Sequence, residues 1–362
     1  MKIFSENEWD PLKEVIVGNS FDHISFNVDL SFKLFFQDNH SWGFQPGFRE
    51  NIKIKSKYIE ELNEDLEELV NTLEKEGVNV HRPDQLNRVQ KINVEGWEST
   101  GIPALNVRDQ SIIIGDTIVE TAPCQRCRYL ENDLLQAIYS QADGKHIKMP
   151  KSKMRDENFD EEFKTHLHNL TTHEKELLYS NHENITSNIP KEFEIMIDGA
   201  NCVRFGKDIL INVANRNQYL GYLWFKEHFP DYNWHLIFAI SNNHLDSFIV
   251  PIAEGTLLLR DLSVLDQLPD FLKDWNFLVP PAPTKMQFPI YEDEDLILTS
   301  PYIDMNVLSL DGNKIITNSL FPELSEFLYK NGFDPIPVQH RHRRIFAGGF
   351  HCFTLDLLRE KN

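Results

Sequence analysis

The chain has 362 residues, of which 41% are hydrophobic, enough for a sizeable core in one large domain or two ordinary ones. Its 36 Lys and Arg stand against 56 Asp and Glu, a formal net charge of −20, so phosphate backbones and anionic membranes are unfavourable partners. No apolar run approaches the roughly 20 residues of a membrane span, and residues 1–6 turn polar at once, unlike a signal peptide. We therefore expect a cytoplasmic protein that binds neither nucleic acid nor membrane, with an acidic surface suited to a cationic small molecule.

The 4 cysteines are too few and too irregularly spaced for a disulfide framework, which indicates a reducing compartment. Cys124 and Cys127 form a CxxC pair that raises the question of zinc or redox chemistry. Because no second pair of ligands stands at metal-binding spacing, we assign neither role to them. We expect no metal and no organic cofactor.

The first 80 residues predict a short strand at 12–18, a long loop at 22–48, a helix at 57–76 and a strand at 78–80. The loop is rich in Phe, Asn, Asp and Gly, and we interpret it as part of a site wall. The helix has a single apolar face, formed by Ile59, Leu62, Leu66, Leu69, Val70 and Leu73.

A pattern then repeats four times: a β-hairpin with a glycine in its turn, an amphipathic helix and a further strand. The hairpins lie at 111–119, 202–211, 248–259 and 306–316. The helices follow at 129–141, 219–229, 264–274 and 320–330, and the strands at 146–149, 234–238, 277–279 and 336–338. The strand around Cys352 completes a fifth unit with the N-terminal strand, helix and strand. Five ββαβ units that share both termini predict a closed ring in one domain, 1–362, with polar residues 151–191 as an insertion.

Residues just before each hairpin should face the central axis of such a ring. They include Asp109, Asp198, and the pair His244 and Asp246, which alternation along a strand would point the same way. The fifth unit contributes Cys352, which we place just inside a strand after two glycines that permit close approach. A lone cysteine is ordinarily a small buried hydrophobe, but this one is predicted to lie near several carboxylates and an imidazole. Carboxylates bind a guanidinium in pairs, and a thiolate can attack its central carbon.

Several of these segments resemble, in order along nearly the whole chain, the amidinotransferases of the arginine:glycine and inosamine-phosphate type. The matching segments are 7–18, Arg108–Asp109, 198–208, 244–246, 305–308 and 348–352. The resemblance implies a five-bladed pseudosymmetric α/β propeller of the guanidine-modifying superfamily, with ββαβ units around a central active-site channel.

The resemblance also implies roles for individual residues. Cys352 attacks the guanidinium carbon of L-arginine, L-ornithine leaves, and an acceptor amine takes the amidino group in ping-pong order. His244 acts as general acid and base with Asp198 as its partner. The substrate-binding residues would be Asp109, Asp246, Arg108, Ser300, Asn243, Ser241 and Arg260. Asn306 lies in a matching segment and is interpreted as structural, and His351 is given no catalytic role because alternation points it away from Cys352.

Two departures from the family pattern make glycine an unlikely acceptor. Glycine-using members carry Met immediately before the histidine, whereas this chain has Asn243, with Ser241 at another position that shapes acceptor entry. Those enzymes also place the arginine that contacts the donor carboxylate a few residues after an Asn-Pro segment. Here Arg260 follows its strand directly, so either Arg260 takes that role or another group does.

Two other functions compete with amidino transfer from arginine to an amine of specialised metabolism. A guanidine hydrolase of the arginine deiminase or dihydrolase type would use the same residues, with water resolving the covalent intermediate. A propeller that only binds ligands is the alternative from another class, and the intact Cys352, His244 and Asp198 argue against it. The partners are small-molecule substrates, and the sequence leaves the oligomeric state open, a homodimer included.

Overall fold

The structure, a computed structural model, describes residues 1–36, 51–161, 192–238, 240, 244–284, 288–292 and 295–360. Five three-stranded sheets run through it, and all five have the same topology. In each, the middle strand pairs antiparallel with one neighbour and parallel with the other. The repeat predicted from the hairpins is therefore present as five equivalent sheets.

The first four sheets follow one another along the chain. Their strands are Ser111–Ile114, Thr117–Glu120 and Lys145–Lys148; Cys202–Phe205, Asp208–Val213 and Asn233–Phe238; Ile249–Ala253, Thr256–Leu259 and Asn276–Leu278; and Leu308–Ser309, Lys314–Asn318 and Asp334–Val338. Glycines with positive φ stand in the four hairpin turns, where a residue with a Cβ would be strained: Gly115, Gly206, Gly255 and Gly312.

The fifth sheet joins distant parts of the chain. Its middle strand, Leu12–Val17, pairs antiparallel with Thr354–Arg359 and parallel with Asn79–His81. Val17 lies opposite Thr354, so the turn that carries Cys352 leads directly into this sheet. The prediction that Cys352 lies inside a strand is wrong by two residues, because residues 350–353 form a turn and the strand begins at Thr354.

Each sheet shares a hydrophobic cluster with two others, and the contacts run from the first sheet to the fifth and back to the first. Residues of neighbouring sheets that belong to the same cluster are, in that order, Ile112 and Ile211, Val203 and Ile249, Val250 and Ile315, Ile316 and Val17, and Ile16 and Ile113. The branched aliphatic residues that favour strands thus also supply the packing between sheets.

Helices cover the links between the strands. The α-helices are Leu30–Phe35, Ser56–Lys75, Val107–Gln110, Gln136–Tyr139, Arg216–His228 and Pro322–Lys330, and 3₁₀ helices occur at Arg126–Arg128, Glu131–Leu135, Asp156–Asn158, Gly199–Asn201, Leu245–Ser247, Leu262–Gln267, Asp270–Leu272 and Pro301–Met305. The helix predicted at 264–274 is instead two 3₁₀ segments, because Pro269, which has no N–H to donate, stands between them. Among the described residues, no helix combines the length and apolar composition that crossing a bilayer requires.

The segment predicted as a loop at 22–48 is partly regular. Ser25–Asn27 pairs with Asn51–Lys53 in a small two-stranded sheet, and Lys91–Val94 forms a second one with Trp97–Thr100. Asp29 caps the helix Leu30–Phe35 by accepting a hydrogen bond from the backbone N–H of Phe32 at 3.0 Å. Residues 37–48, like residues 162–191 of the predicted insertion, lie outside the described part of the chain.

The helix Ser56–Lys75 gives a test of the packing. Leu66 is 1% exposed in the cluster that also contains Val15 and Val17. Leu66→Ala should lower the free energy of unfolding by about 2–5 kcal/mol, since it leaves a cavity in the core. Glu60→Ala, on the exposed face of the same helix, should change it by less than about 0.5 kcal/mol. Urea denaturation of both variants measures the difference, and equal stabilities would contradict the assigned face.

Candidate active site

Asp109, Asp198, His244 and Asp246 stand where the sequence analysis placed them, just before the first strand of their sheets. Each of these residues lies in, or directly before, a short helical turn. Asp109 lies in Val107–Gln110, Asp198 precedes Gly199–Asn201, and His244 precedes Leu245–Ser247, which contains Asp246. His244 and Asp246 therefore converge through a helical turn, and the strand alternation that predicted their convergence is the wrong reason.

Two glycines allow these turns to approach one another. A Cβ on Gly199 would lie 2.7 Å from the carbonyl oxygens of Arg108 and Ser111, so only glycine lets the turn after Asp198 pack against the turn that carries Asp109. A Cβ on Gly349 would lie 2.7 Å from the backbone oxygen of Asn306. The glycine pair before Cys352 thus serves close approach, as predicted.

Cys352 is buried, and its position is set by Asn306. The backbone N–H of Cys352 donates to Oδ1 of Asn306 at 2.9 Å, while Nδ2 of Asn306 donates to Oδ2 of Asp246 at 3.0 Å. The thiol in turn donates to the same Asp246 oxygen at 3.4 Å. Asn306 thus joins the thiol and its neighbouring carboxylate, which agrees with the structural role predicted for it.

Burial and the negative charges of Asp246 and Asp109 raise the pKa of the Cys352 thiol well above its usual value. For Asp246 itself, burial alone would raise the pKa. The hydrogen bond and charge of His351, together with the charge of His244, outweigh burial and lower it. In the free protein the sulfur is therefore a thiol beside an ionised carboxylate.

His244 lies between two carboxylates. Its Nε2 lies 3.0 Å from Oδ2 of Asp198, and its Nδ1 lies 3.5 Å from Oδ1 of Asp109. Burial favours the neutral ring, but the charges of Asp109 and Asp198 and the hydrogen bond to Asp198 outweigh it and raise the pKa of His244 to about 9. The ring is thus an imidazolium at neutral pH, with a proton to give.

Asp109 and Asp246 share one arrangement. In each, Oδ2 is held by a buried base: Nη1 of Arg128 donates to Asp109 at 2.5 Å, and Nδ1 of His351 lies 2.7 Å from Oδ2 of Asp246. In each, Oδ1 is buried and makes no hydrogen bond among the described residues, although Oδ1 of Asp109 lies 3.5 Å from Nδ1 of His244. Because an unpaired buried carboxylate oxygen is costly, these two atoms indicate where a ligand with N–H groups would bind.

A cleft with a cavity volume of about 320 Å³ opens over this centre, within the range of small-molecule sites. Cys352, His244 and Asp246 form part of its lining, with Phe35, Phe36, Ile240, Phe248 and Ile303 as apolar walls. Ser300 and Arg260 also line it, as predicted. The Arg260 guanidinium lies 4.5 Å from the ring centre of Phe248 and 5.1 Å from that of Tyr302.

One set of possible metal ligands occurs among the described residues: Asp109, His244 and Cys352 each offer one ligand atom, and these lie within 4.8 Å of one another. The three atoms are also the components of covalent catalysis, a thiol, an acid–base imidazole and an anionic binding group. The protonated thiol and imidazolium would have to lose their protons before they could bind a metal.

Arg108 is not part of the lining of this cleft. Its guanidinium donates to the backbone oxygen of His351 at 2.8 Å, to Oε2 of Glu8 at 3.1 Å and to Oδ1 of Asp356 at 2.5 Å, in a buried cluster next to the site. Its N–H groups are used in these contacts and Arg108 does not line the cleft that contains Cys352, so the structure does not support the substrate contact predicted from the sequence. Ser241 and Asn243 lie outside the described residues, so their prediction rests on the sequence alone.

Three groups near the site were missed by the sequence analysis: Arg128, which holds Asp109, and His351 with its partner Glu8. Arg128 also donates to both carboxylate oxygens of Glu131, at 2.6 and 2.8 Å. The available signals were the position of Arg128 next to the CxxC pair and that of His351 beside the predicted nucleophile. The position of His351 was overlooked because residues 351 and 352 were assumed to lie in a strand, where neighbours face opposite sides. In a turn, neighbouring residues can face the same region.

No family model matches the chain, but known proteins match it over nearly its whole length. It is 30% identical over 366 residues to the mitochondrial glycine amidinotransferase of Gallus gallus, covering 99% of this chain and 83% of that protein. It is 29% identical over 371 residues to the L-arginine:L-lysine amidinotransferase of Pseudomonas savastanoi pv. phaseolicola, covering 99% and 94%.

Among solved structures, the inosamine-phosphate amidinotransferase StrB1 of Streptomyces griseus aligns with a TM-score of 0.80 and 26% identity, covering 99% of this chain and 97% of that one. The resemblance read from the motifs is confirmed. The chain belongs to the amidinotransferase family and is a transferase enzyme of that class.

Proposed function

We propose that this enzyme moves the amidino group of L-arginine to an acceptor amine through a covalent intermediate on Cys352, with L-ornithine as the first product. The observation that carries the proposal is the pair of buried Oδ1 atoms of Asp109 and Asp246, which make no hydrogen bond among the described residues and belong to side chains that contact His244 and Cys352, respectively. A planar guanidinium offers several N–H donors in a rigid fork. It would satisfy both oxygens while its carbon lies beside the sulfur.

Binding of the donor would also activate the nucleophile. The carboxylates of Asp246 and Asp109 contribute to the raised pKa of Cys352, and a guanidinium between them offsets their charge. The thiol pKa then falls, its proton is released to solvent, and the thiolate adds to the amidine carbon. A resting thiol that ionises only beside its substrate is protected from adventitious alkylation and oxidation.

His244 supplies and recovers the proton of the transfer. As an imidazolium held by Asp198, it donates to the nitrogen of the departing ornithine while the carbon–nitrogen bond breaks, leaving an amidino group on sulfur. The acceptor amine then adds to this carbon and gives a proton back to His244, and the carbon–sulfur bond breaks to restore the thiolate. Donor and acceptor use the same site in turn, which predicts ping-pong kinetics.

The acceptor in this proposal is an amine other than glycine. Asn243 and Ser241 stay as sequence-based predictions for acceptor entry, and Ser300 lines the cleft. Ser300 accepts a hydrogen bond from the backbone N–H of Tyr302 at 3.3 Å, which holds its hydroxyl at the start of Pro301–Met305. A relative with similar coverage is an L-arginine:L-lysine amidinotransferase, which supports an acceptor longer than glycine.

Arg260 is the residue we propose for the carboxylate of the donor. It lines the same cleft as Cys352, and none of the described carboxylates lies within 4.0 Å of its guanidinium. The rings of Phe248 and Tyr302 hold the guanidinium by cation–π contact. An arginine held in this way can take a carboxylate in two parallel hydrogen bonds.

For the fold, we propose a five-bladed pseudosymmetric α/β propeller in a single domain, 1–362, with residues 151–191 as an insertion. The five equivalent sheets and the hydrophobic clusters that link each sheet to the next support it. For the setting, we propose the cytoplasm, with no nucleic-acid or membrane partner and no cofactor. The four cysteines are all free, which suits a reducing compartment.

The first prediction concerns transfer. Incubated with L-arginine alone, the protein should gain the mass of one amidino group on Cys352, by intact and peptide mass spectrometry. Continuous release of ornithine should need an added amine, tested with glycine, lysine, amino sugars and polyamines. Cys352→Ala should lower ornithine release by about 10⁴-fold or more, since the nucleophile is lost, whereas Cys202→Ala in a strand of the second sheet should keep it.

Two outcomes would contradict this scheme. Steady formation of citrulline or ammonia from arginine without an amine would show a hydrolase. Amine-dependent ornithine release by folded Cys352→Ala, or an adduct on any other residue, would remove Cys352 as nucleophile.

The second prediction concerns the thiol. Because the charge of Asp246 raises the pKa of Cys352, Asp246→Asn should lower that pKa and speed iodoacetamide modification of Cys352 at pH 8, about tenfold for each unit of pKa. Asp261→Asn, at the exposed wall of the same cleft, is the matched control and should leave the rate unchanged. The buried Cys127 and Cys202 should stay unmodified in all variants, which reports that each is folded. A rate that falls or stays constant in Asp246→Asn would refute the electrostatic cause.

The third prediction concerns Arg260. Arg260→Gln should raise the KM for arginine by about 10-fold or more, since a hydrogen-bonded charge pair is lost, and should leave the KM for agmatine, which lacks the carboxylate, within about twofold. Arg260→Lys keeps the positive charge but loses the planar pair of N–H donors. Its KM for arginine should lie between that of the wild type and that of Arg260→Gln. Steady-state kinetics with both donors decide the assignment. Equal losses for arginine and agmatine would place the carboxylate elsewhere.

A further inference from the structure

His351, immediately before the nucleophile, is buried between two carboxylates. Its Nδ1 lies 2.7 Å from Oδ2 of Asp246, and its Nε2 lies 3.2 Å from Oε2 of Glu8. The ring is 3% exposed, so solvent takes little part in these contacts. The backbone is fixed as well: the N–H of His351 donates to the carbonyl of Asn306 at 3.2 Å, and its carbonyl accepts from Nε of Arg108 at 2.8 Å.

Glu8 is held as a carboxylate by arginines. Nε of Arg204 donates to its Oε1 at 2.8 Å, and Oε2 accepts from Nη2 of Arg204 at 2.9 Å and from Nη1 of Arg108 at 3.1 Å. Burial alone would raise the pKa of Glu8, but the two arginines and His351 outweigh it and keep the pKa well below its usual value. Glu8 thus faces His351 as an acceptor without a proton of its own.

Asp246 is likewise an acceptor at Oδ2, which already takes hydrogen bonds from Asn306 and from the thiol of Cys352. A neutral imidazole donates from only one nitrogen and accepts at the other. With an ionised carboxylate at each nitrogen, either neutral tautomer would set a lone pair against an anion. Both contacts of the ring are hydrogen bonds only when each nitrogen carries an N–H.

We propose that His351 is a doubly protonated positioning residue whose Nδ1–H fixes Oδ2 of Asp246, so that Oδ1 is turned to the guanidinium of the donor. Glu8 holds the opposite nitrogen and keeps the ring in this orientation. The inference rests on the proposed role of Asp246 in donor binding. Glu8, which lies in the N-terminal segment that resembles the family, does not line the cleft. In this proposal it acts on the site through its contact with His351.

Two amide variants separate the two hydrogen bonds of the ring. In His351→Asn the side-chain amide can place an N–H where Nδ1 stands, and in His351→Gln it can place one where Nε2 stands. The first variant can still hold Asp246, and the second can still contact Glu8. A role in overall stability alone gives no reason for the two to differ in donor binding.

The activity test uses the full chain with arginine and the best amine from the panel, with active protein counted by folded fraction. His351→Gln should raise the KM for arginine about 10- to 100-fold, the range expected for a lost hydrogen bond to a charged group, with a smaller change in kcat. His351→Asn should restore the KM to within a few-fold of the wild type. Equal KM values in the two variants, or a loss confined to melting temperature, would overturn the proposal.

A second readout needs no activity. In protein labelled with ¹⁵N-histidine, the signals lost in His351→Asn identify His351, and both ring nitrogens should have the chemical shifts of protonated nitrogens at neutral pH. One unprotonated nitrogen would overturn the proposal even if the kinetics agreed. If wild-type protein forms no adduct with arginine, the proposed function of Cys352 fails, while this spectrum still decides the state of His351.

Discussion

The site depends on keeping carboxylates ionised and correctly turned in an interior that disfavours charge. Burial alone would protonate a carboxyl group, and a protonated pair could not hold a guanidinium. Asp109 and Asp246 each use one oxygen to contact a buried base, Arg128 or His351. At Asp246 the neighbouring charges outweigh burial and lower the pKa, whereas at Asp109 burial outweighs the charges of His244 and Arg128 and raises the pKa. Each base is in turn held by a further carboxylate, Glu131 or Glu8. The charges next to the substrate are thus one layer of a larger network.

This layering explains why some charged residues of the chain matter without touching the cavity. Arg108 and Arg204 both contact Glu8 and Asp356. Removing one partner from such a cluster leaves the others buried without compensation, which costs more than an exposed ion pair contributes. The CxxC segment also supports the site, through its backbone and the residue that follows it and not through its thiols. The backbone N–H of Cys124 donates to Asp198 at 3.1 Å, and Arg128 follows directly after Cys127.

The five-sheet repeat and most of the site residues could be predicted from the sequence because each repeat has short-range sequence signals. Glycine turns between aliphatic strands marked the hairpins, and the residues before each hairpin were the ones that meet at the site. What failed were details that depend on tertiary context. Arg108 was predicted to contact substrate, but its guanidinium pairs with Glu8 and Asp356, and the arginine that pairs with Asp109 is Arg128, from a separate helical turn. The neighbouring side chains His351 and Cys352 both contact Asp246 because their backbone forms a turn, and alternation holds only in strands.

The segments that meet in the fifth sheet, Leu12–Val17 and Thr354–Arg359, come from opposite ends of the described chain. Pairing across so great a sequence separation closes a very large loop, and such contacts form slowly and carry a high entropic cost. The four sheets whose strands are near one another in sequence can form without it. Maturation of the thiol centre is therefore expected to be among the last events of folding, so a chain with those four sheets in place would still be inert toward its donor.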